Sequence, residues 1–155
     1  MAETRSDTNV ITHPRTIRRA TTPDEIATCL SIRAAVFTLE QGVPPELELD
    51  ELDAEAIHYL GYEGEAPLAT GRVRLIGDVA KVQRVAVLAA ARGTGLGAQL
   101  MRHVVDDLRK CSGARRVTLG SQETAVGFYE RLGFAKHGER FMDAGIPHFE
   151  MRLDL

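Results

Sequence analysis

Six consecutive residues, Arg92-Gly93-Thr94-Gly95-Leu96-Gly97, combine types and spacing that can bind an anion. Glycine takes positive φ without steric cost, so these three glycines let the backbone turn tightly and aim several N–H groups at one point. The start of a helix adds partial positive charge, which suits a pyrophosphate, and the Arg92 guanidinium can fork onto a phosphate. Two other readings of the loop stay open: a glycine turn without a ligand, and a dinucleotide fingerprint, whose loose form Gly93-x-Gly95-x-x-Ala98 satisfies. The fingerprint belongs near the start of a βαβαβ half, with an acidic residue ending the next strand. Here the next strand ends at Gly120-Ser121 and little chain remains. The Lys-Ser/Thr pair of a phosphate loop is missing too.

The loop needs a strand before it and a helix after it. Val79 to Leu88 reads as the strand, and Leu96, Leu100, Val104 and Leu108 form an i, i+4 stripe that closes near Gly113. Upstream, Thr16 to Ala20 is a short strand, and Thr22-Pro23-Asp24-Glu25 carries a capping box with proline at the first helical position. Ile26, Cys29, Leu30, Ala34 and Phe37 share one face of that helix, which Gly42 ends. Ile57 to Glu63 and Leu68 to Ile76 are strands, the second alternating Thr70, Arg72, Arg74 against Ala69, Gly71, Val73, Leu75. Downstream, Arg115 to Gly120 is a strand, and Ala125, Phe128, Tyr129 and Leu132 mark a short helix ended by Gly133. Phe134 to Met142 and His148 to Leu153 flank an Ala144-Gly145 turn. The order β-α-β-β-β-α-β-α-β-β predicts an α+β domain: a mixed, mostly antiparallel sheet flanked by helices.

The 155 residues are 44% hydrophobic and 26% charged, enough for one domain with a core. Residues 1–13 are expected to be a flexible tail and 14–155 a single domain. A net charge of −3 argues against nucleic-acid binding, and no apolar run reaches membrane-spanning length. Cys29 and Cys111 fit no metal or disulfide spacing and read as small buried hydrophobes within helices. A cytoplasmic protein is expected. The acidic stretch Glu46, Glu48, Asp50, Glu51, Asp53 and Glu55 reads first as a solvated loop. Its functional alternative is a lip that attracts a cationic substrate. Calcium-loop spacing is missing.

Gln83-Arg84-Val85-Ala86-Val87 followed by Arg92 to Gly97 resembles the strand and Gln/Arg-x-x-Gly-x-Gly/Ala loop of the GNAT acyl-CoA N-acyltransferases. Ala125-x-x-Phe128-Tyr129-Glu130-x-Leu132-Gly133-Phe134 resembles that family's second signature. Three outer segments are similar to the ElaA/YjcF-like subgroup. They are Arg33-x-x-Val36-Phe37-x-x-Glu40-Gln41-Gly42-Val43-Pro44, Glu48-x-Asp50-x-x-Asp53-x-x-x-x-His58 and Gly145-Ile146-Pro147-His148. Gln122 stands where many superfamily members carry asparagine.

The resemblance implies a GNAT fold and acetyl-CoA as co-substrate, with no metal. The strand at Val85, Ala86 and Val87 would splay open and pair with the pantetheine arm, one N–H facing the thioester oxygen. Arg92, Gly93, Thr94, Gly95, Leu96 and Gly97 would hold the pyrophosphate, with Gln122 and Phe128 beside the cofactor. Tyr129 would protonate the departing thiolate, a phenol of pKa about 10 serving a thiol of about 8.5; as an alternative it is a core residue beside Phe128. An alkylammonium of pKa about 10.4 must also lose a proton. Glu40, His58 and His148 are the candidate bases, and a water chain can replace all three. The acceptor is expected to be a small-molecule primary amine, and a homodimer stays open. Two alternatives are a non-catalytic acyl-CoA sensor and an acyl-homoserine-lactone-synthase-like enzyme. The absence of tryptophan counts against the second.

Overall fold

Thr22 opens the first helix as its capping box predicts: Glu25 N–H donates to Thr22 Oγ1 at 3.2 Å, and Thr22 N–H donates to Glu25 Oε1 at 3.1 Å. The Thr21 and Thr22 N–H groups hold the Glu25 carboxyl down to a pKa of about 2. This computed structural model describes residues 13–155, so the tail expected at residues 1–13 lies outside the described residues apart from His13.

The strands are β1 (Arg15–Ala20), β2 (Ile57–Glu63), β3 (Ala66–Ile76), β4 (Val79–Val87), β5 (Arg116–Gln122), β6 (Ala135–Asp143) and β7 (Ile146–Asp154). They form one sheet in the order β1-β2-β3-β4-β5-β7-β6, in which only β4 and β5 run parallel. The helices are α1 (Pro23–Arg33), α2 (Pro45–Glu48), α3 (Leu96–Cys111) and α4 (Val126–Arg131). The expected α+β architecture is present.

The i, i+4 stripe of α3 buries Leu96, Leu100, Val104 and Leu108 in the larger core, with Val82, Val117, Leu119, Tyr129 and Met151. Asp107 Oδ2 accepts from Tyr59 Oη at 2.6 Å and from Arg19 Nε at 2.8 Å, pinning α3 to the first two strands. On the opposite face α1 packs Cys29 and Ile32 against Leu60 and Ala86. Both faces of β3 are therefore covered, and its polar set is not a solvent face: Thr70 and Arg72 are each 1% exposed.

Three local expectations need correction. The first helix is not α-helical through Phe37, because Ala34–Glu40 widens into a π-helical segment, with Gln41 N–H donating to Val36 O. Cys29 is buried, but Cys111 is exposed at the end of α3, where the apolar stripe has run out. The acidic stretch is not a solvated loop. It folds as α2 and a 3-10 turn, Glu51–Glu55, and three of its carboxylates are bound by arginines.

That cluster is dense. Arg33 Nε donates to Glu48 Oε2 at 2.7 Å and Arg33 Nη1 to Asp53 Oδ1 at 2.7 Å. Arg72 Nη1 reaches Asp50 at 2.7 Å and Asp53 at 2.9 Å, and Arg84 Nε reaches Glu48 Oε2 at 3.1 Å. Burial pushes the Asp50 and Asp53 carboxyls up, but hydrogen bonds from Arg72, and from Arg33 at Asp53, outweigh it and leave both lowered. The reading of Glu48, Asp50 and Asp53 as a lip for cationic substrates fails for the same reason, since their charge is already matched.

Candidate active site

Parallel pairing of β4 with β5 runs from Val79↔Arg116 to Val82↔Leu119 and stops there. β4 continues along β3 to Val87, while β5 continues along β7 to Gln122. The two strands diverge, and the β5-facing edge of residues 83–87 has no strand partner among the described residues. A bulge between Thr70 and Arg72 in the β3–β4 register accompanies the divergence, and within it Arg84 takes φ 57. A bulge re-aims backbone groups. Here it turns Gln83 toward the α1 face, hydrogen-bonded to Arg72, and Val85 toward the larger core.

The glycine loop lies at the mouth of this crevice. Gly93 and Gly95 have φ 76 and 91, values that L side chains rarely adopt, and Gly95 caps α3 from the left-handed region. A Cβ at Gly93 would meet nothing within 4 Å, whereas one at Gly97 would come within 3.3 Å of Val87 Cγ2 and 3.5 Å of Phe128 Cζ. Gly93 thus leaves room for a ligand, and Gly97 permits close approach of α3, β4 and Phe128. Arg15 Nη1 braces the loop by donating to Thr94 O at 2.9 Å.

Arg92 is at the mouth as expected, but it has partners. Its Nε donates to Val87 O at 3.0 Å and its Nη1 to Glu40 Oε2 at 3.0 Å, with a second contact from Nη2 to Glu40 Oε1. One backbone acceptor expected to be open to a ligand is therefore occupied. On the other side of the crevice, Gln122 Nε2 donates to Gln41 Oε1 at 2.8 Å. Glu40 and Gln41, at the end of the π-helical segment, thus hold one residue on each bank.

The expected catalytic residues separate. Tyr129, 7% exposed, sits edge-on between Phe128 (ring centroids 5.0 Å apart) and Phe134 (5.9 Å). Burial pushes its phenol up, which keeps it protonated at neutral pH and makes it a weaker acid than a free phenol. Glu40 is held below the usual carboxylate range by its hydrogen bond from Arg92, which makes it a weaker base. His58 is buried 3% exposed on the α1 face, its Nε2 2.9 Å from Asp53 O and its Nδ1 sealed without a partner. A carbonyl only accepts, so Nε2 carries the proton, and the bare nitrogen cannot meet a substrate. Neither residue is placed as a base. His148, stacked on Phe141, keeps an unsealed nitrogen.

Two shallow hollows, about 290 Å³ beside Thr16, Arg18 and Tyr62 and about 250 Å³ beside Met101, Arg109 and Phe134, are lined by none of Tyr129, Glu40, His58 and His148. Among the described residues no cluster of metal-ligating side chains occurs, and no helix is long and apolar enough to cross a membrane.

The family described as an acetyltransferase (GNAT) domain matches residues 19–155. The chain belongs to this family. As a GNAT member it is an acyl-CoA-dependent acyltransferase. It is 36% identical over 132 residues to the uncharacterized N-acetyltransferase YjcF of Bacillus subtilis, covering 84% of this chain and 94% of that one. It is 31% identical over 130 residues to protein ElaA of Escherichia coli, covering 81% and 85%. Among solved structures, an acyl-CoA N-acyltransferase from Pseudomonas aeruginosa superposes with TM-score 0.79 at 29% identity, covering 90% of this chain and 98% of that one. These matches agree with the ElaA/YjcF-like resemblance and with the seven-stranded GNAT architecture.

The arginine cluster is what sequence reasoning missed. Arg33 lies on the otherwise apolar face of α1, seven residues after Ile26 and four before Phe37. A charge at a core position beside an unmatched acidic run is the signal that could have found it.

Proposed function

We propose that this GNAT acyltransferase moves an acetyl group from acetyl-CoA to the primary amine of a small cytoplasmic acceptor, by direct attack of the amine on the thioester. The divergence of β4 from β5 after Val82 and Leu119, with the glycine loop at its mouth, carries the reading. Acetyl-CoA supplies an activated acyl carbon on a thiol leaving group. The open backbone edge of Val85 and Ala86 suits a pantetheine arm, and a bulge N–H suits the oxygen that gains charge during transfer; one such donor is worth roughly 10²–10³-fold. The N–H groups of Gly93 to Gly97 and the start of α3 suit the pyrophosphate. Arg92 can join them by exchanging Glu40 for phosphate oxygens. Tyr129, beside Phe128 at the crevice, delivers a proton to the sulfur as the thiolate forms.

Free-thiol release from acetyl-CoA across a panel of primary amines tests this reading. Turnover with at least one amine, together with a raised Tm in saturating acetyl-CoA, is the expected result. A raised Tm without thiol release on any amine replaces it with an acyl-CoA sensor.

A further inference from the structure

Arg15 stands at the start of β1, in register with Glu63 at the end of β2. Its Nε donates to Glu63 Oε1 at 3.2 Å, and its Nη1 donates to both Thr94 O and Gln99 Oε1, each at 2.9 Å. Thr94 belongs to the glycine loop and Gln99 to the first turn of α3. A guanidinium is a planar fork whose donors point in fixed directions, so holding Nε against β2 also sets where Nη1 points. One side chain therefore ties the loop and the start of α3 to the edge of the sheet.

The tie acts on a particular peptide. The Thr94–Gly95 bond is trans, so its N–H points opposite to its C=O. Arg15 draws the carbonyl toward β1, which aims the Gly95 N–H away from β1. Gly95 caps α3, so this N–H is one of the donors that a helix leaves unpaired at its start. No hydrogen bond among the described residues is donated by the N–H of Gly93, Thr94 or Gly95. Glycine next to a peptide lets that peptide flip at little steric cost. A flip would exchange the two ends, putting a carbonyl oxygen where the N–H had been, and an anion would then meet an acceptor. Thr94 Oγ1 donates to Ala91 O at 2.5 Å, which anchors the residue but not the peptide after it.

We infer that Arg15 is a positioning residue for the cofactor: by holding Thr94 O it keeps the Gly95 N–H turned to the pyrophosphate. The inference rests on the loop binding pyrophosphate, as proposed above. Arg15 differs in this from Arg92, which reaches the phosphates itself. Glu63 already matches the charge of Arg15, and its Nη1 lies on the carbonyl side of the peptide, opposite the N–H.

CoA and dephospho-CoA are the probes, since the second keeps the pyrophosphate and lacks only the 3′-phosphate. Arg15→Met keeps most of the stem and removes every donor. In titration calorimetry it should raise the Kd of both ligands by the same factor, at least about tenfold, the low end for a hydrogen bond to a charged group. In wild type the Gly95 amide proton should move downfield on adding CoA. In Arg15→Met that movement should be lost even at saturation, whereas a β1 edge that was merely loosened would still show it. Glu63→Gln keeps an acceptor for Nε, removes the charge and should leave CoA affinity unchanged. Tighter binding in Glu63→Gln, fading as salt rises, would show Arg15 acting through its charge and would overturn the inference even where Arg15→Met fails to fold. A loss confined to CoA, with dephospho-CoA unaffected, would place Arg15 on the 3′-phosphate and overturn it as well. Wild-type affinity in Arg15→Met sinks the inference while the loop reading stands. If Gly95→Asp also binds CoA like wild type, the loop reading falls and takes the inference with it.

Discussion

Two of the arginine–carboxylate assemblies, the one beneath α1 and the one at the crevice mouth, behave as opposites. In the first, Arg33 and Arg72 are each 1% exposed and Glu48 is 3% exposed, with Asp50, Asp53 and Arg84 closing the network. In the second, the side chains of Arg92 and Glu40 are 46% and 38% exposed at the crevice mouth. Buried charges that lose a partner have no water to turn to, whereas exposed ones exchange partners at little cost. The first assembly therefore locks α1, α2 and the β4 bulge into one arrangement. The second can release its arginine to an incoming anion.

The largest effect expected from this contrast is on folding. Glu48→Gln keeps the volume but removes the charge that Arg33 and Arg84 share at Oε2. Unfolding in urea should show a loss of about 3–5 kcal/mol, the usual result of breaking a buried pair. A midpoint within error of wild type would move this cluster into the same class as Arg92 and Glu40. Acid should probe the same network. Asp50 and Asp53 have lowered values in the folded state, so their contribution is present above the unfolded carboxylate pKa of about 3.9 and is lost as pH falls through the folded values. Urea midpoints should thus fall below about pH 4.

On the crevice side the largest effect is chemical. Tyr129→Phe keeps the ring packed between Phe128 and Phe134 and removes only the hydroxyl. With an accepted amine, kcat should fall by roughly 10²–10⁴-fold, while acetyl-CoA binding and Tm stay nearly constant. Wild-type turnover, with chemistry shown to limit the rate, would return Tyr129 to a packing role.

How far each region could be read from sequence follows the range of its signals. The glycine loop was legible because its signals are local: Gly93 and Gly95 take positive φ within the loop itself, and the Leu96–Leu108 stripe follows directly. The capping box at Thr22 and the hairpin turn at Ala144-Gly145 were legible for the same reason. The arginine cluster was not, because its pairs span 15 to 36 residues and form only when the sheet and α1 meet. A run of acidic residues is ordinarily solvated, and nothing local in Glu48 or Asp53 separates it from Glu46 or Glu55. The π-helical widening of Ala34–Glu40 also escaped, since the apolar spacing from Ile26 to Phe37 matches an α-helix. With it went the placement of Glu40 and Gln41 on the two banks of the crevice.

An intermediate effect is expected at the loop. Gly95→Asp puts an L side chain at φ 91 and a negative charge where phosphates are proposed to lie. Acetyl-CoA affinity should fall at least about tenfold, or 1.4 kcal/mol, in a variant that still folds. Unchanged affinity would leave the loop as an unliganded turn.

The smallest effect is at Glu40, and it separates three roles for one carboxylate. Glu40→Gln keeps the shape but gives up the charge that occupies Arg92. If the pair is an exchangeable placeholder, its loss frees Arg92 and acetyl-CoA should bind slightly more tightly. An exposed pair contributes little, so the gain is at most about fivefold. Salt should erase it, because charges at this exposure are screened over about 8–10 Å. If Glu40 instead held the mouth in shape, as Glu48 holds the bulge, the variant would lose Tm and affinity together. If it were the base, kcat would fall by at least about 10²-fold with affinity unchanged. The expected outcome is the first: a modest, salt-sensitive gain in affinity, constant Tm and nearly constant kcat, measured by titration calorimetry and thiol release on one preparation.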